Sequence, residues 1–360
     1  MAPKTKVQDP VAEEMRRKDE KPTVSIGLAR DFARERFGIA PPHFLDRFLF
    51  RIGRPATRVI PLNSYDDKNF MFYRRHMVKF YNGVESGHPA FIDAQARAME
   101  RVSSSGILTS VPRRCKDGKD VTYVDLERKD GGSEGGTRTT RHAMRVLSFI
   151  PGKILGDLDL DEKNVASLLD QAGTLIGKVD ACFQGFDHIG FHRNHFWDLK
   201  HSMKLADFVA YIGNDARKAL VLDVLANFEK KVLPFAHELR ESVIHNDAND
   251  QNILTSEDGT RVIGILDYGD MVKSWLVNEV AIAMAYVMLN KKYFLRVSPW
   301  GRIRIRTGLN QSEERETPVP FGSNVLGLAD SNHFSSLASA GRVLPSRWIL
   351  QGGRVGAAGV

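Results

Sequence analysis

The chain has 360 residues, 42% of them hydrophobic and 26% charged, with a formal net charge of +7. That length and apolar content suit one large or two ordinary cores and exclude a chain disordered throughout. No apolar run approaches the ~18 residues of a membrane-spanning helix, and Met1 to Thr23 lacks the apolar centre of a secretory signal, so a cytoplasmic protein with no membrane partner is expected.

Two cysteines, Cys115 and Cys182, are too few for a disulfide framework and have no metal-ligand spacing. Eight arginines against four acidic residues in Tyr293 to Val360 account for more than half of the excess charge. The remaining body is only modestly basic, which suits nucleotide phosphates and gives no reason to expect a nucleic-acid partner.

In chain order, Met1 to Thr23 mixes Lys, Glu, Asp and Arg with two early prolines, a composition that predicts a disordered lead-in. Ser25 to Gly38 reads as a surface helix with Ile26, Ala29, Phe32 and Ala33 on one face. From Phe48 to Tyr81 the period shortens. Arg58 to Leu62, Phe70 to Tyr73 and Met77 to Tyr81 read as three strands, and the polar turn Asn63 to Asn69 separates the first two. Lys79 follows Val78 inside the last of these, where a cation either points to solvent or meets an anion.

Phe91 to Val102 is built of good helix formers. Thr109 to Leu126 and Thr140 to Phe149 read as strands, and the glycine cluster Gly131 to Gly136 between them reads as a flexible hairpin loop, since no helix start follows it to make a phosphate cradle. Beyond Gly152 the pattern turns helical. Val165, Leu168, Leu169, Ala172, Leu175, Ile176 and Val179 keep a 3.6-residue period, and Val221, Val224, Leu225, Phe228 and Val232 repeat it. Between them His188, His192 and His195 have spacings that zinc could use on a helix, but Gly190 and the lack of a supporting carboxylate pattern speak against a metal there.

The most informative stretch is Ser242 to Asp270: a polar loop with His245, Asp247 and Asn252, a hairpin turning at Asp258-Gly259, and a second polar loop starting at Asp267. Asp-Gly is a strong signal for a two-residue turn. Antiparallel pairing about that turn puts Asn252 opposite a residue near 265, so the side chains of Asn252 and Asp267 come to one end of one ribbon, within reach of one hard cation such as Mg²⁺. Asp247 loops back over the same end as a carboxylate able to orient a hydroxyl. Two oxygen ligands for a phosphate-bridging metal and one unshared acid are what phosphoryl transfer needs.

The motif H-x-D-x-x-x-x-N followed by D-Y-G-D resembles the kinase-like phosphotransferases that act on small molecules, a group that contains aminoglycoside phosphotransferases, choline kinases and hydroxylysine kinases. The wording H-N-D-A-N-D-Q-N-I-L, G-I-L-D-Y-G-D and N-E-V-A-I-A-M-A-Y-V-M is most similar to the hydroxylysine kinase branch.

The resemblance implies an α+β, two-lobed protein-kinase-like fold: a β-rich nucleotide lobe over 24–150 and a mostly helical catalytic and acceptor lobe over 151–292. Residues 293–360 hold no lysine and no sustained period. The resemblance stops before them, so an incomplete C-terminal lobe and a poorly ordered, substituted tail are expected. It implies Lys79 on the nucleotide phosphates, Asp93 as the helix carboxylate that aims Lys79, with Glu100 the fallback, and Ser64 in the turn over the phosphates. Phe149 and Ile150 would form the strand that meets the base, Asp247 the catalytic acid–base group, and Asn252 and Asp267 the Mg²⁺ ligands. Trp197 and Asp198 would lie on the acceptor side.

The implied donor is GTP or ATP and the implied acceptor a small amine-bearing hydroxyl compound, with GTP and 5-hydroxylysine favoured by the nearest branch. Another aminoalcohol or aminoglycoside kinase, or an inactive nucleotide-binding homologue, is the alternative. The branch's usual glycine between His and Asp is Asn246 here, a residue that tolerates positive φ better than most.

Overall fold

The structure is a computed structural model that describes residues 10–40, 59–129, 137–160 and 164–288. The glycine cluster at 131–136 and the tail at 293–360 lie outside the described residues. The chain divides into two units, one comprising Met1–Pro151 with His188–Gly190 and the other Gly152–Asp187 with Phe191–Val360.

In the first unit, helices α1 (Pro10–Asp19) and α2 (Ile26–Phe37) precede strands β1 (Val59–Leu62), β2 (Lys68–Phe72) and β3 (His76–Phe80). A single turn α3 (Gly83–Ser86) and the longer α4 (Pro89–Ser104) follow, then β4 (Leu108–Thr109), β5 (Pro112–Arg113), β6 (Thr122–Lys129) and β7 (Thr137–Ser148). The sheet runs β1-β2-β3-β7-β5, with β6 paired to β7, and these pairs are antiparallel.

Alternation along the strands gives this sheet two different faces. Phe70, Phe72, Val78, Phe80, Met144 and Val146 pack with Ala29, Ala33 and Phe37 of α2. The other set, Tyr81 and Ala143, packs with Ile92 of α4. Lys79 and Arg145 are cross-strand partners and share that second face. Helix α2 starts at the Ser25 cap and ends at Gly38, whose φ of 68° closes it in the left-handed region. The helix buries Ala29, Ala33 and Phe37, while Ile26, expected inward, is exposed.

The expected disordered lead-in is corrected for residues 10–19, which form α1. The helix is held from outside itself, by Arg17, whose guanidinium meets two carboxylates of the first unit. No local periodicity announces that.

The second unit starts at β8 (Lys153–Ile154), followed by α5 (Val165–Cys182), a 3-10 stretch Leu199–Tyr211, α6 (Asp215–Lys231), β9 (Glu241–Ile244), β10 (Ile253–Thr255), β11 (Val262–Ile265), β12 (Val272–Trp275) and α7 (Val277–Met288). Helix α5 buries Leu168, Leu169, Ala172, Leu175, Ile176 and Val179, as its period predicts. The strands β9 and β12 pair antiparallel, and β10 pairs with both β8 and β11.

Candidate active site

The β10–β11 hairpin sets the geometry. Ile253 faces Ile265 and Leu254 faces Gly264, and then the register slips so that Thr255 faces Val262. The connection is longer than the expected two-residue turn. Ser256 N–H still donates to the Arg261 carbonyl (2.8 Å), and of the turn residues only Gly259 has positive φ. Asp258 explains the difference: its Oδ1 accepts from the Thr260 N–H (3.1 Å) and hydroxyl (2.9 Å), an Asx turn that widens the loop. At the other end Leu266 N–H donates to the Asn252 carbonyl (2.8 Å), so Asn252 lies opposite 266, directly beside Asp267.

Before β10, the loop folds over itself through amides. Asn252 Nδ2 donates to the Asp247 carbonyl (2.9 Å) and to Asp247 Oδ2 (2.8 Å). Asn249 Nδ2 donates to Asp247 Oδ1 (2.6 Å), and Asn249 Oδ1 accepts the N–H groups of Gln251 (2.8 Å) and Asn252 (3.1 Å). Both oxygens of Asp247 are therefore oriented by neutral donors. The Asn252 amide, committed through its nitrogen to Asp247, has Oδ1 as its remaining ligand atom.

The backbone behind this loop has a special conformation. Asn246 has φ of 62°, as its place in the loop requires, and its N–H donates to Glu279 Oε2 of α7 (3.0 Å). His245 is fully buried. Its Nε2 donates to the Leu266 carbonyl (3.1 Å), tying the first loop to the hairpin end, and its ring lies 5.3 Å from that of Tyr268.

Burial holds Glu279 above the usual carboxylate range, and His245 and the loop N–H groups pull it back. Asp180 of α5 is pushed up to about 9, first by burial and then by Glu279, against Arg240. Glu279 alone of the two accepts a loop N–H, so Asp180 is the carboxyl that keeps the proton.

The second loop begins at Asp267, also left-handed with φ of 59°, whose Oδ1 accepts from Gly269 N–H (3.0 Å). Arg193 braces the loop by donating to the carbonyls of Gly269 (2.9 Å) and Met271 (3.0 Å), and Asp270 pairs with His195 Nε2 at 3.1 Å. Among the described residues no group of three His, Cys, Asp or Glu is placed to hold a metal. The donor set of the Asn252 amide oxygen and the Asp267 carboxylate nonetheless fits Mg²⁺, a hard cation that keeps several waters and takes phosphate oxygens beside one or two protein ligands.

In the first unit, Lys79 is buried and its ammonium lies 2.7 Å from Asp67 Oδ2, over the Tyr81 ring at 4.9 Å. The expected Asp93 partner is a correction. Helix α4 turns Ile92, Gln95, Ala96 and Met99 inward, so Asp93 falls on the outer face with Arg97 (3.2 Å) and Glu100 meets the same arginine (2.8 Å). Gln95 takes the inward place, accepting from the Tyr81 hydroxyl at 3.1 Å. Asp67 is pushed up by burial and pulled back by Lys79, and its Oδ1 accepts the Asn82 N–H (2.8 Å).

The histidine segment is divided among three separate carboxylates. His188 meets Asp93 (3.1 Å), His192 meets Asp187 (2.7 Å) and His195 meets Asp270. Gly190 is a glycine for a steric reason, since a Cβ there would lie 2.3 Å from the Ala90 carbonyl oxygen. Asp198, expected on the acceptor side, is instead a buried knot that accepts from Ser274 Oγ (2.6 Å), Asn278 Nδ2 (3.2 Å) and Lys200 N–H (3.0 Å). Trp197 stacks edge-on against Phe196 at 5.0 Å.

Asn249, Glu279 and Arg193 were not singled out as site residues by the sequence. Asn249 alone has a local signal, an asparagine two and three residues before the N–H groups it accepts.

Residues 62–297 match the family described as "Phosphotransferase enzyme family". Curated relatives include hydroxylysine kinase of Mus musculus, 26% identical over 66% of this chain and 66% of that protein, that of Bos taurus, 29% over 68% of each, and that of Danio rerio, 25% over 76% and 73%. The chain thus spans about two thirds of the length of the curated relatives it matches. Among solved structures, the amicoumacin kinase hAmiN in complex with AMP-PNP, Ca²⁺ and Ami aligns over 84% of this chain and 80% of that one, with TM-score 0.46 and 16% identity. The GDP complex of wild-type aminoglycoside 2'-phosphotransferase-IIIa aligns over 87% and 96%, with TM-score 0.47 and 14% identity.

Proposed function

The chain belongs to the phosphotransferase enzyme family, and from that premise we propose that it transfers the γ-phosphoryl group of a nucleoside triphosphate to the hydroxyl of a small amine-bearing molecule. By its similarity to the curated hydroxylysine kinases, the proposed acceptor is 5-hydroxylysine and the proposed donor GTP, with ATP as the competing donor. The observation that carries this reading is the Asn252 amide, which donates to Asp247 while the Asn252 backbone holds the strand end beside Asp267.

Asp247, held by Asn249 and Asn252, would accept the proton of the attacking hydroxyl and keep that oxygen aimed. Asn252 and Asp267 would hold Mg²⁺, which when bound neutralises charge on the donor's phosphates. Lys79 would meet those phosphates as a point charge, with Asp67 in the aiming role expected of Asp93 and with Ser64 in the adjoining turn. At the strand end proposed to meet the base, Phe149 N–H is already donated to the Arg75 carbonyl (2.9 Å), so a base there would draw on groups beyond it, those of Ile150 among them.

The test is an acceptor and donor matrix: 5-hydroxylysine, choline and an aminoglycoside, each with GTP and with ATP, followed by phosphorylated product. Product is expected with 5-hydroxylysine and GTP above the other pairs. A chain that binds nucleotide and phosphorylates none of these hydroxyls would overturn the reading.

A further inference from the structure

The turn Ser64–Asn69 contains no glycine, so the close backbone approach that serves phosphates elsewhere is not what shapes it. It is shaped by the residues around the end of α1. Lys21 Nζ donates to the carbonyls of Tyr65 (2.6 Å) and Ser64 (3.4 Å). In a trans peptide the N–H points opposite to the C=O, so drawing both carbonyls to one ammonium turns the N–H groups of Tyr65 and Asp66 to the other side. Arg17 Nη1 donates to Asp66 Oδ2 (2.6 Å) and to Glu85 Oε1 of α3 (3.2 Å).

The strap is closed by backbone contacts. Asn82 Nδ2 donates to the Arg17 carbonyl (2.6 Å), and Gly83 N–H donates to the Glu20 carbonyl (3.0 Å). The same Asn82 gives its own N–H to Asp67, the partner of Lys79.

This pocket buries three carboxylates, Asp66, Asp67 and Glu85, beside Lys79. Among the described residues, Arg17 is the second cation that meets them. Removing Arg17 would set three buried acids against one ammonium, and Lys79 would be drawn among all three. Burial, reinforced by Asp67, already pushes Glu85 up to about 7, with Arg17 pulling the other way.

We propose that Arg17–Lys21 is a strap that presets this turn for the donor's phosphates, with Lys21 and Arg17 as positioning residues. Lys21 fixes the direction of two peptide N–H groups, and Arg17 occupies Asp66 and Glu85 so that Lys79 keeps Asp67 as its partner. The inference rests on the reading that Lys79 meets a nucleoside triphosphate.

The experiment compares full-length wild type, Arg17→Gln, Lys21→Ala and Lys79→Met. Affinity for a non-hydrolysable GTP analogue with Mg²⁺ is measured by calorimetry, and donor and acceptor KM by steady-state kinetics. Arg17→Gln and Lys21→Ala should each weaken donor affinity and raise donor KM by about 10-fold while acceptor KM stays unchanged. Lys21→Arg should keep most of the affinity. Glu85→Gln added to Arg17→Gln should recover part of the loss, because one of the two acids that Arg17 met is gone and Asp66 remains.

Lys21→Ala leaves only two turn carbonyls to water, so it keeps the test open if Arg17→Gln does not fold. If Lys79→Met weakens the donor and both strap variants bind it like wild type, the strap is wrong. If Lys79→Met itself binds the donor unchanged, the underlying reading is wrong.

Discussion

The two units hold their candidate reactive groups in different ways. In the first, Lys79 is fixed by ions: Asp67 beside it, with Asp66, Glu85 and Arg17 behind. In the second, Asp247 is fixed by neutral amides and peptide groups, from Asn249, Asn252 and the loop backbone. The difference fits the two proposed tasks. A cation proposed to meet phosphates can be aimed by a carboxylate that it keeps. A carboxylate proposed to receive a proton can be aimed by amide donors, here those of Asn249 and Asn252.

Variants can break that comparison. Lys79→Met should cost about 100-fold in kcat/KM, carried mostly by donor KM, because it removes the charge proposed to meet the phosphates. Equal loss in donor and acceptor KM would refute that assignment. A smaller effect, about 10-fold and confined to kcat, is expected for Asn249→Ala, which frees one oxygen of Asp247 and two loop N–H groups. If it raised donor KM instead, the division of labour between the units would be wrong.

The smallest effect is on stability. Asp180, ordinarily at 3.8, is held at about 9, so the folded chain keeps a proton that the unfolded chain gives up. Its cost is absent below 3.8 and grows as pH rises towards 9. Asp180→Asn, which keeps the shape without the charge, should therefore stabilise the fold by a margin that grows by roughly 1.4 kcal/mol per pH unit across that window, read as a gain in Tm that rises with pH. A Tm difference that is flat with pH would contradict the buried, proton-holding carboxyl.

The comparison also explains what was readable in the sequence. The hairpin was, because Asp247, Asn252 and Asp267 lie within 21 residues and strand pairing converts spacing into position. The positive φ of Asn246 was foreshadowed in the same way, by a residue type in a local motif. The partner of Lys79 was not, because two carboxylates competed for it from different elements. Helical phase put Asp93 outside with Arg97, while Asp67 arrived through the β2–β3 pairing.

Helix α1 escaped for a related reason. Its composition is that of a solvated segment, and what orders it is Arg17 reaching residues 49 and 68 positions away. In the hairpin too, the Asp258 side chain widens a turn that Asp-Gly alone would make tight.

The central claim is tested most directly by Asp247→Asn, with nucleotide affinity and single-turnover phosphoryl transfer to 5-hydroxylysine measured on one preparation. Nucleotide should bind as in wild type while transfer falls by about 10³-fold. Transfer at the wild-type rate would contradict the assignment of Asp247 as the group that receives the proton.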